Sequence, residues 1–275
     1  MTTNLAFAEA PRWHAGTLWW SDMHAGHVSR LTPNGPEHVC DVPMNPSGLG
    51  WLPDGRLLVV SMQDKRILRQ EGDGSLVTHA DLSAIVPRRL NDMVVDRQGR
   101  AYVGNFGFDL DGVETPTPTI LVRVDRDGSS QIVARDLVFP NGTVITPDGR
   151  TLIVAETFAG RLTAFTIADD GGLSNQRLWA KLPDGDAPDG ICLDAQGAVW
   201  IASPTSNACV RMREGGEVLQ RIATAQGAFA CMLGGQDRRT LYVCTAGSHD
   251  PARQRRERDG QIVSFAVEIP GAGLP

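Results

Sequence analysis

The stretch FPNGTVITPDGRTLIVAET, residues 139–157, carries two turn-forming pairs, Asn141-Gly142 and Asp148-Gly149, around one short β-rich run. Each pair supplies backbone freedom at a bend, so the plain expectation is a strand between two turns. The same pattern returns along the chain. PSGLGWLPDGRLLVVSMQDKRILRQ begins at Pro46, LNDMVVDRQGRAYVGNFG at Leu90, and PDGICLDAQGAVWIASPTSNACVRM at Pro188. The turn glycines Gly55, Gly99, Gly149 and Gly197 are separated by 44, 50 and 48 residues. A weaker copy, EAPRWHAGTLWWSDMHAGHVSRL, places Gly16 39 residues before Gly55, and FACMLGGQDRRTLYVCTAGS adds a last one, making six copies.

Each copy reads as strand, turn, strand, turn, strand. The second strand is the most apolar (LLVVS, LIVAE, LYVCT), and no segment shows a long 3.6-residue period, so helix content should be low. Four short strands repeating at about 40–45 residues mark a β-propeller blade. The chain is therefore expected to be all-β, a single six-bladed β-propeller domain over residues 1–275 with four-stranded antiparallel blades. Radial closure protects sheet edges that an open array would expose. The N-terminal segment, residues 3–9, should complete the sixth blade beside the C-terminal strand, residues 260–269. A large β-sandwich is the runner-up, but it predicts no sixfold repeat.

Composition narrows the function classes. The 275 residues are 41% apolar and 21% charged, with 30 Gly and 17 Pro, which indicates many turns without low complexity. A net charge of -6 argues against a general nucleic-acid binder. The one basic run, Arg253 to Arg258, is broken by Gln254 and Glu257 and reads as a solvated loop. Cys40, Cys192, Cys209, Cys231 and Cys244 form no C-x-x-C pair, so neither a disulfide framework nor a zinc-thiolate site is indicated. No signal peptide and no apolar run of membrane-spanning length is found, so the expectation is a cytoplasmic protein without membrane or nucleic-acid partners.

Counting back eight positions from each turn glycine gives Ser47, Asn91, Asn141 and Asp189; Glu9 lies seven before Gly16, and the sixth place falls near Ala230. If the following strand is the innermost of its blade, these residues ring one mouth of the central channel. Two carboxylates and two amide carbonyls converging there would suit a hard divalent cation, with water completing the shell. Asn-Gly and Asp-Gly also occur simply as turns, but Glu9 does not fit that account because Glu is a poor turn former. Asn141 is thus expected both to bend the chain and to offer an oxygen inward.

At these residues the chain resembles the senescence marker protein/gluconolactonase/luciferin-regenerating enzyme family, the regucalcin-like six-bladed propellers. The resemblance spans nearly the whole chain. It rests on Glu9-Ala10-Pro11-Arg12-Trp13, Arg89-Leu90-Asn91-Asp92, Asn141-Gly142 and Pro188-Asp189-Gly190. It implies one divalent metal ion held by Glu9, Asn141 and Asp189, with Asn91 as a weaker or water-mediated fourth. Ca²⁺ is expected first; Mn²⁺, Mg²⁺ and Zn²⁺ stay open. It also implies substrate contacts from Arg89 and Asn91 and a catalytic, proton-accepting role for Asp189. The expected activity is metal-dependent hydrolysis of a small-molecule lactone or related ester. A lyase, isomerase or condensing enzyme in the same pocket, or a calcium-binding regulator, is the alternative. Residues 105–120, NFGFDLDGVETPTPTI, do not match the sugar-lactone enzymes' substrate loop, and Phe106, Phe108 and the prolines predict a stiffer, more apolar rim.

Other chemistry has less support. Gly-x-Ser-x-Gly does not occur, so no serine nucleophile on an elbow turn is expected. His24 and His27 read as turn or surface histidines, with a rim contact or proton shuttle as the sharper alternative. Trp19 and Trp20 read as packing, and Cys192 and Cys231 as small hydrophobes of inner strands.

Overall fold

The computed structural model describes residues 2–110, 112 and 114–275. Their strands form six four-stranded antiparallel sheets, one per sequence repeat. The first strands of the six blades are Ala8–His14, Pro46–Trp51, Leu90–Val95, Pro140–Ile145, Ile191–Leu193 and Gly227–Gly234. Each packs beside the first strand of the next blade, and the last returns to the first, so these six line the axis. The apolar second strands, such as Leu57–Ser61 and Thr151–Glu156, then bury their side chains between neighbouring blades. Val144, Ile153, Leu162, Trp179, Val199 and Ile201, for instance, form one such layer between blades four and five. Trp20 and Trp200 are fully buried in another, as expected of packing residues.

Closure follows the expected scheme with one adjustment. Strand Thr2–Leu5 pairs with Gly260–Ala266 on the outside of blade six. Residues 3–9 are not one strand, however. The chain leaves blade six after Leu5 and enters blade one at Ala8. The buried carboxylate of Asp22 fixes this crossing by accepting the backbone N–H groups of Ala6 (3.2 Å) and Phe7 (2.8 Å).

The Asn141-Gly142 pair is not a turn. Both residues lie at the start of strand Pro140–Ile145, where the pairing register shifts between Pro140 and Thr143. A Cβ on Gly142 would lie 2.5 Å from the Ile191 nitrogen and 2.6 Å from the Asp189 carbonyl oxygen. Gly142 therefore serves close approach of neighbouring inner strands, and its N–H donates to that Asp189 oxygen at 3.2 Å. Gly149 is a true turn glycine, with φ +73° and open space around it.

Two terminal features shape the channel ends. Asn141 and Asp189 sit at the start of the inner strands, whereas Ile145 and Leu193 sit at their far ends. Residues 271–274 cross that far end: Leu274 exchanges backbone hydrogen bonds with Ile145, and Ala272 donates to Leu193. At the near end the basic run is no loop. Pro251–Glu257 is a short α-helix, α1, capped by Asp250, whose side chain accepts from the Arg253 N–H. It is the one α-helix among the described residues, and no helix there is long and apolar enough to cross a membrane.

Candidate active site

The near mouth opens into a cavity of about 840 Å³. Glu9, Asn91, Asn141 and Asp189 line its deep end, and Arg89 lines its side, so every site residue expected from the sequence faces one space. Two ring positions do not. Ser47 is buried away from the cavity, and in blade six Phe229, not Ala230, lines it.

The electrostatics of this end are unusual for carboxylates. Glu9 is partly exposed where it lines the cavity, and its carboxyl is pushed up to about 8, chiefly by desolvation there and further by the charge of Asp92. The Ala10 N–H donates to it at 3.1 Å, and Arg12 also draws it down, without offsetting the desolvation. Asp189, 8% exposed, is raised well above the ordinary carboxylate range by burial, then by the charge of Glu9. The Asn141 side chain and the Gly190 N–H act on Asp189 in the opposite direction. Glu9, Asn141 and Asp189 thus sense one another across the axis although the sequence places them far apart. Among the described residues neither acid makes an ion pair. The guanidinium nearest in effect, Arg12, is committed to Asp92 (2.5 Å) and to the carbonyls of Leu49, Pro11 and Met93.

Both amides are turned the same way. The Asn141 NH₂ group donates to Thr157 Oγ1 (3.2 Å) and that of Asn91 to the Pro140 carbonyl (3.2 Å). The Asn141 amide also hydrogen-bonds the Asp189 carboxyl. Among the described residues no three His, Cys, Asp or Glu side chains converge as metal ligands. The donor set is two acids plus amide oxygens, which fits a hard divalent cation and gives a soft one no thiolate or imidazole.

The walls hold residues that pattern reading missed. His24, read first as a turn or surface histidine with a rim contact as the alternative, lines the cavity. It stacks on Phe7 (centroids 4.8 Å), its Nε2 meets the His249 carbonyl at 3.2 Å, and burial shifts its pKa down. His27 stays outside, against His38. His249 and Arg255 reach the cavity from the cap formed by α1 and the segment before it; the Arg255 Nε donates to the His24 carbonyl at 3.1 Å. Arg89 lies over the Phe106 ring at 4.7 Å and within 4.0 Å of Asp109. The expected apolar rim is present in Phe106 and Phe108, both buried; Asp111 and Val113 of that loop lie outside the described residues. Cys192 and Cys231 are buried with sulfurs 3.8 Å apart and take no part in the cavity. The ring spacing and the motifs of the family resemblance signalled the site; the cap carried neither signal.

Comparison with known proteins gives the family and agrees with the six-bladed fold. The family model described as "SMP-30/Gluconolactonase/LRE-like region" matches residues 7–247. The chain is 28% identical to pentonolactonase XacC of Haloferax volcanii, over 99% of this chain and 94% of that protein. It is 25% identical to 6-deoxy-6-sulfogluconolactonase of Pseudomonas putida, over 97% and 93% respectively. A solved structure of regucalcin, a calcium-binding protein from Agrobacterium tumefaciens, superposes with a TM-score of 0.81 at 22% identity, covering 98% of this chain and 93% of that one; at that identity the likeness is one of fold. The chain is a member of the SMP-30/gluconolactonase/LRE-like family.

Proposed function

We propose that this protein is a divalent-cation-dependent hydrolase of lactones or related esters, with Glu9, Asn141 and Asp189 holding the cation. The observation that carries this reading is the pair of acids, Glu9 and Asp189, that form no ion pair among the described residues and line a cavity large enough for an organic substrate. Family membership and lactonase relatives support the reaction class.

When bound, the cation would supply a positive charge that polarises the substrate carbonyl and stabilises the oxyanion formed on attack. Asp189, ionised in that state, would take a proton from the attacking water as the new C–O bond forms. The ring C–O bond then breaks, and the departing alkoxide receives the proton. Asn141 contributes a neutral oxygen, so the acids alone balance the cation's charge. Arg89 presents a planar fork to a substrate oxygen or carboxylate, and its place over Phe106 fixes that fork's plane. Asn91, with its NH₂ group held by the Pro140 carbonyl, would offer its carbonyl oxygen to a water or a substrate hydroxyl.

The test is Asp189→Asn assayed on a lactone panel with Ca²⁺ or Mn²⁺ present. Turnover should fall about 1,000-fold or more, and calorimetric cation affinity should fall with it. Near-normal hydrolysis by that variant would remove the assignment.

A further inference from the structure

Polarity divides the cavity. Donor oxygens of Glu9, Asn91, Asn141 and Asp189 line one part of it, His24, His249 and Arg255 line the cap side, and one further wall is a layer of phenyl rings. Phe106 and Phe139 lie 4.4 Å apart between centroids, and Phe158 meets Phe139 edge-on at 5.1 Å. Phe108 backs the layer, 5.6 Å from Phe139 and 5.3 Å from Phe158. Phe158 meets both Phe108 and Phe139 edge-on, the favourable arrangement for aromatic rings, and Phe106 and Phe108 tilt against Phe139 at 46° and 47°, so the rings form one packed wall.

Two details set this wall apart from ordinary packing. Phe158 is 48% exposed although it lines the cavity, so the ring offers apolar area that no protein group covers. Phe139 has φ +57°, a left-handed conformation that is unfavourable for a bulky side chain. The same short segment ties wall to centre. Phe158 follows Thr157, which receives the Asn141 amide, and the Thr157 N–H donates to the Phe139 carbonyl at 3.3 Å. Across the cavity, Phe7 and Phe229 pack edge-on at 4.7 Å and complete an apolar slot.

Size points the same way. About 840 Å³ lies near the upper end of the roughly 300–1,000 Å³ that hold drug-sized ligands. A single-ring sugar lactone would fill a small part of it and would set hydroxyl groups against phenyl faces that cannot hydrogen-bond them well.

We propose that the substrate of this site is amphiphilic: a lactone or ester whose carbonyl lies at Asn141 and Asp189 and whose aromatic or alkyl group lies against Phe106, Phe139 and Phe158. This rests on the hydrolase reading above and names its substrate class.

The experiment compares dihydrocoumarin, an alkyl-substituted butyrolactone and gluconolactone as substrates of the full chain with Ca²⁺ or Mn²⁺. It is repeated on Phe158→Ala, a half-exposed position whose truncation leaves the core intact. The expected result is a kcat/KM at least about tenfold higher for the apolar lactones. Phe158→Ala should raise their KM about tenfold while leaving gluconolactone within about twofold. Preference for gluconolactone, or an equal effect of Phe158→Ala on both classes, overturns the proposal and leaves the hydrolase reading standing. If no lactone is turned over, the hydrolase reading falls, and titration with dihydroquinolinone, the unreactive lactam counterpart of dihydrocoumarin, decides the apolar seat. Binding that weakens about tenfold in Phe158→Ala supports that seat; no binding, or binding unchanged in the variant, overturns it.

Discussion

Glu156 and Asp189 are buried carboxylates in neighbouring blades, and the protein treats them in opposite ways. Glu156, fully buried, accepts from the Arg161 guanidinium at 2.7 and 3.1 Å, from the Val138 N–H at 2.7 Å and from Thr163 Oγ1. Asp194 is handled alike, by Arg211 at 2.6 Å and by the N–H groups of Gln196 and Ala198. Asp189 has the Asn141 amide and the Gly190 N–H, and Glu9 has the Ala10 N–H and the more distant charge of Arg12; among the described residues neither forms an ion pair. A buried charge is tolerated when it is paired and hydrogen-bonded. The structural acids carry their partner within the chain; among the described residues the cavity acids form no ion pair.

Exchange of carboxylate for amide should therefore have opposite signs at the two places. Glu156→Gln strands Arg161 and faces the Val138 N–H with a poorer acceptor. It should destabilise by about 3 kcal/mol, the low end for a broken buried pair because Arg161 is 38% exposed. Glu9→Gln or Asp189→Asn should raise the melting temperature of cation-free protein and abolish the stabilisation that added Ca²⁺ gives the wild type. Calorimetric melts with and without cation check both. A lower cation-free melting temperature for the cavity variants would erase the distinction.

The spacing that brings Asn141 to Asp189 can be broken without touching either acid. Gly142→Ala places a methyl group 2.5 Å from the Ile191 nitrogen and should cost about 1–3 kcal/mol, with weaker cation binding. At Gly149, where space is open, Ala meets only the backbone cost of φ +73°, about 1 kcal/mol, and cation binding should be unchanged.

Acidity sharpens the contrast further. Glu9 holds its proton to about pH 8 in the fold, against an ordinary value of 4.5. Between those values the native state binds more protons than the unfolded chain, so stability falls as pH rises through that window. In cation-free protein the melting temperature of Glu9→Gln should therefore gain on the wild type from pH 5 to pH 8, and saturating Ca²⁺ should remove that trend. The smallest effect belongs to a surface acid. Glu257, paired with Arg253 at 2.7 Å on exposed α1, should tolerate Glu257→Gln with a melting temperature within about one degree of wild type.

What could be read from residues alone follows from which forces are local. The blade count came from turn glycines and strand alternation, both set within a few residues. Glu9, Asn141 and Asp189 were found because a repeat converts a position in one blade into a position in all. The turn assigned to Asn141-Gly142 was wrong because the glycine answers to Asp189 and Ile191 in the next blade, which no local preference reports. The Arg12–Asp92 pair joins residues 80 apart and escaped for the same reason. His24 was read first as a turn or surface histidine because the segment that covers it, with His249 and Arg255, comes from the other end of the chain.

The pairing of Thr2–Leu5 with Gly260–Ala266 has a temporal consequence. About 255 residues separate the two strands, so at a synthesis rate of about 5–20 residues per second the earlier one waits roughly 13 to 50 s for its mate. Throughout that interval the growing arc has raw hydrogen-bonding margins, open to any other nascent chain. Only release of the final stretch lets the circle lock, which makes this molecule a late assembler whose yield in a cell depends on what shields those margins meanwhile.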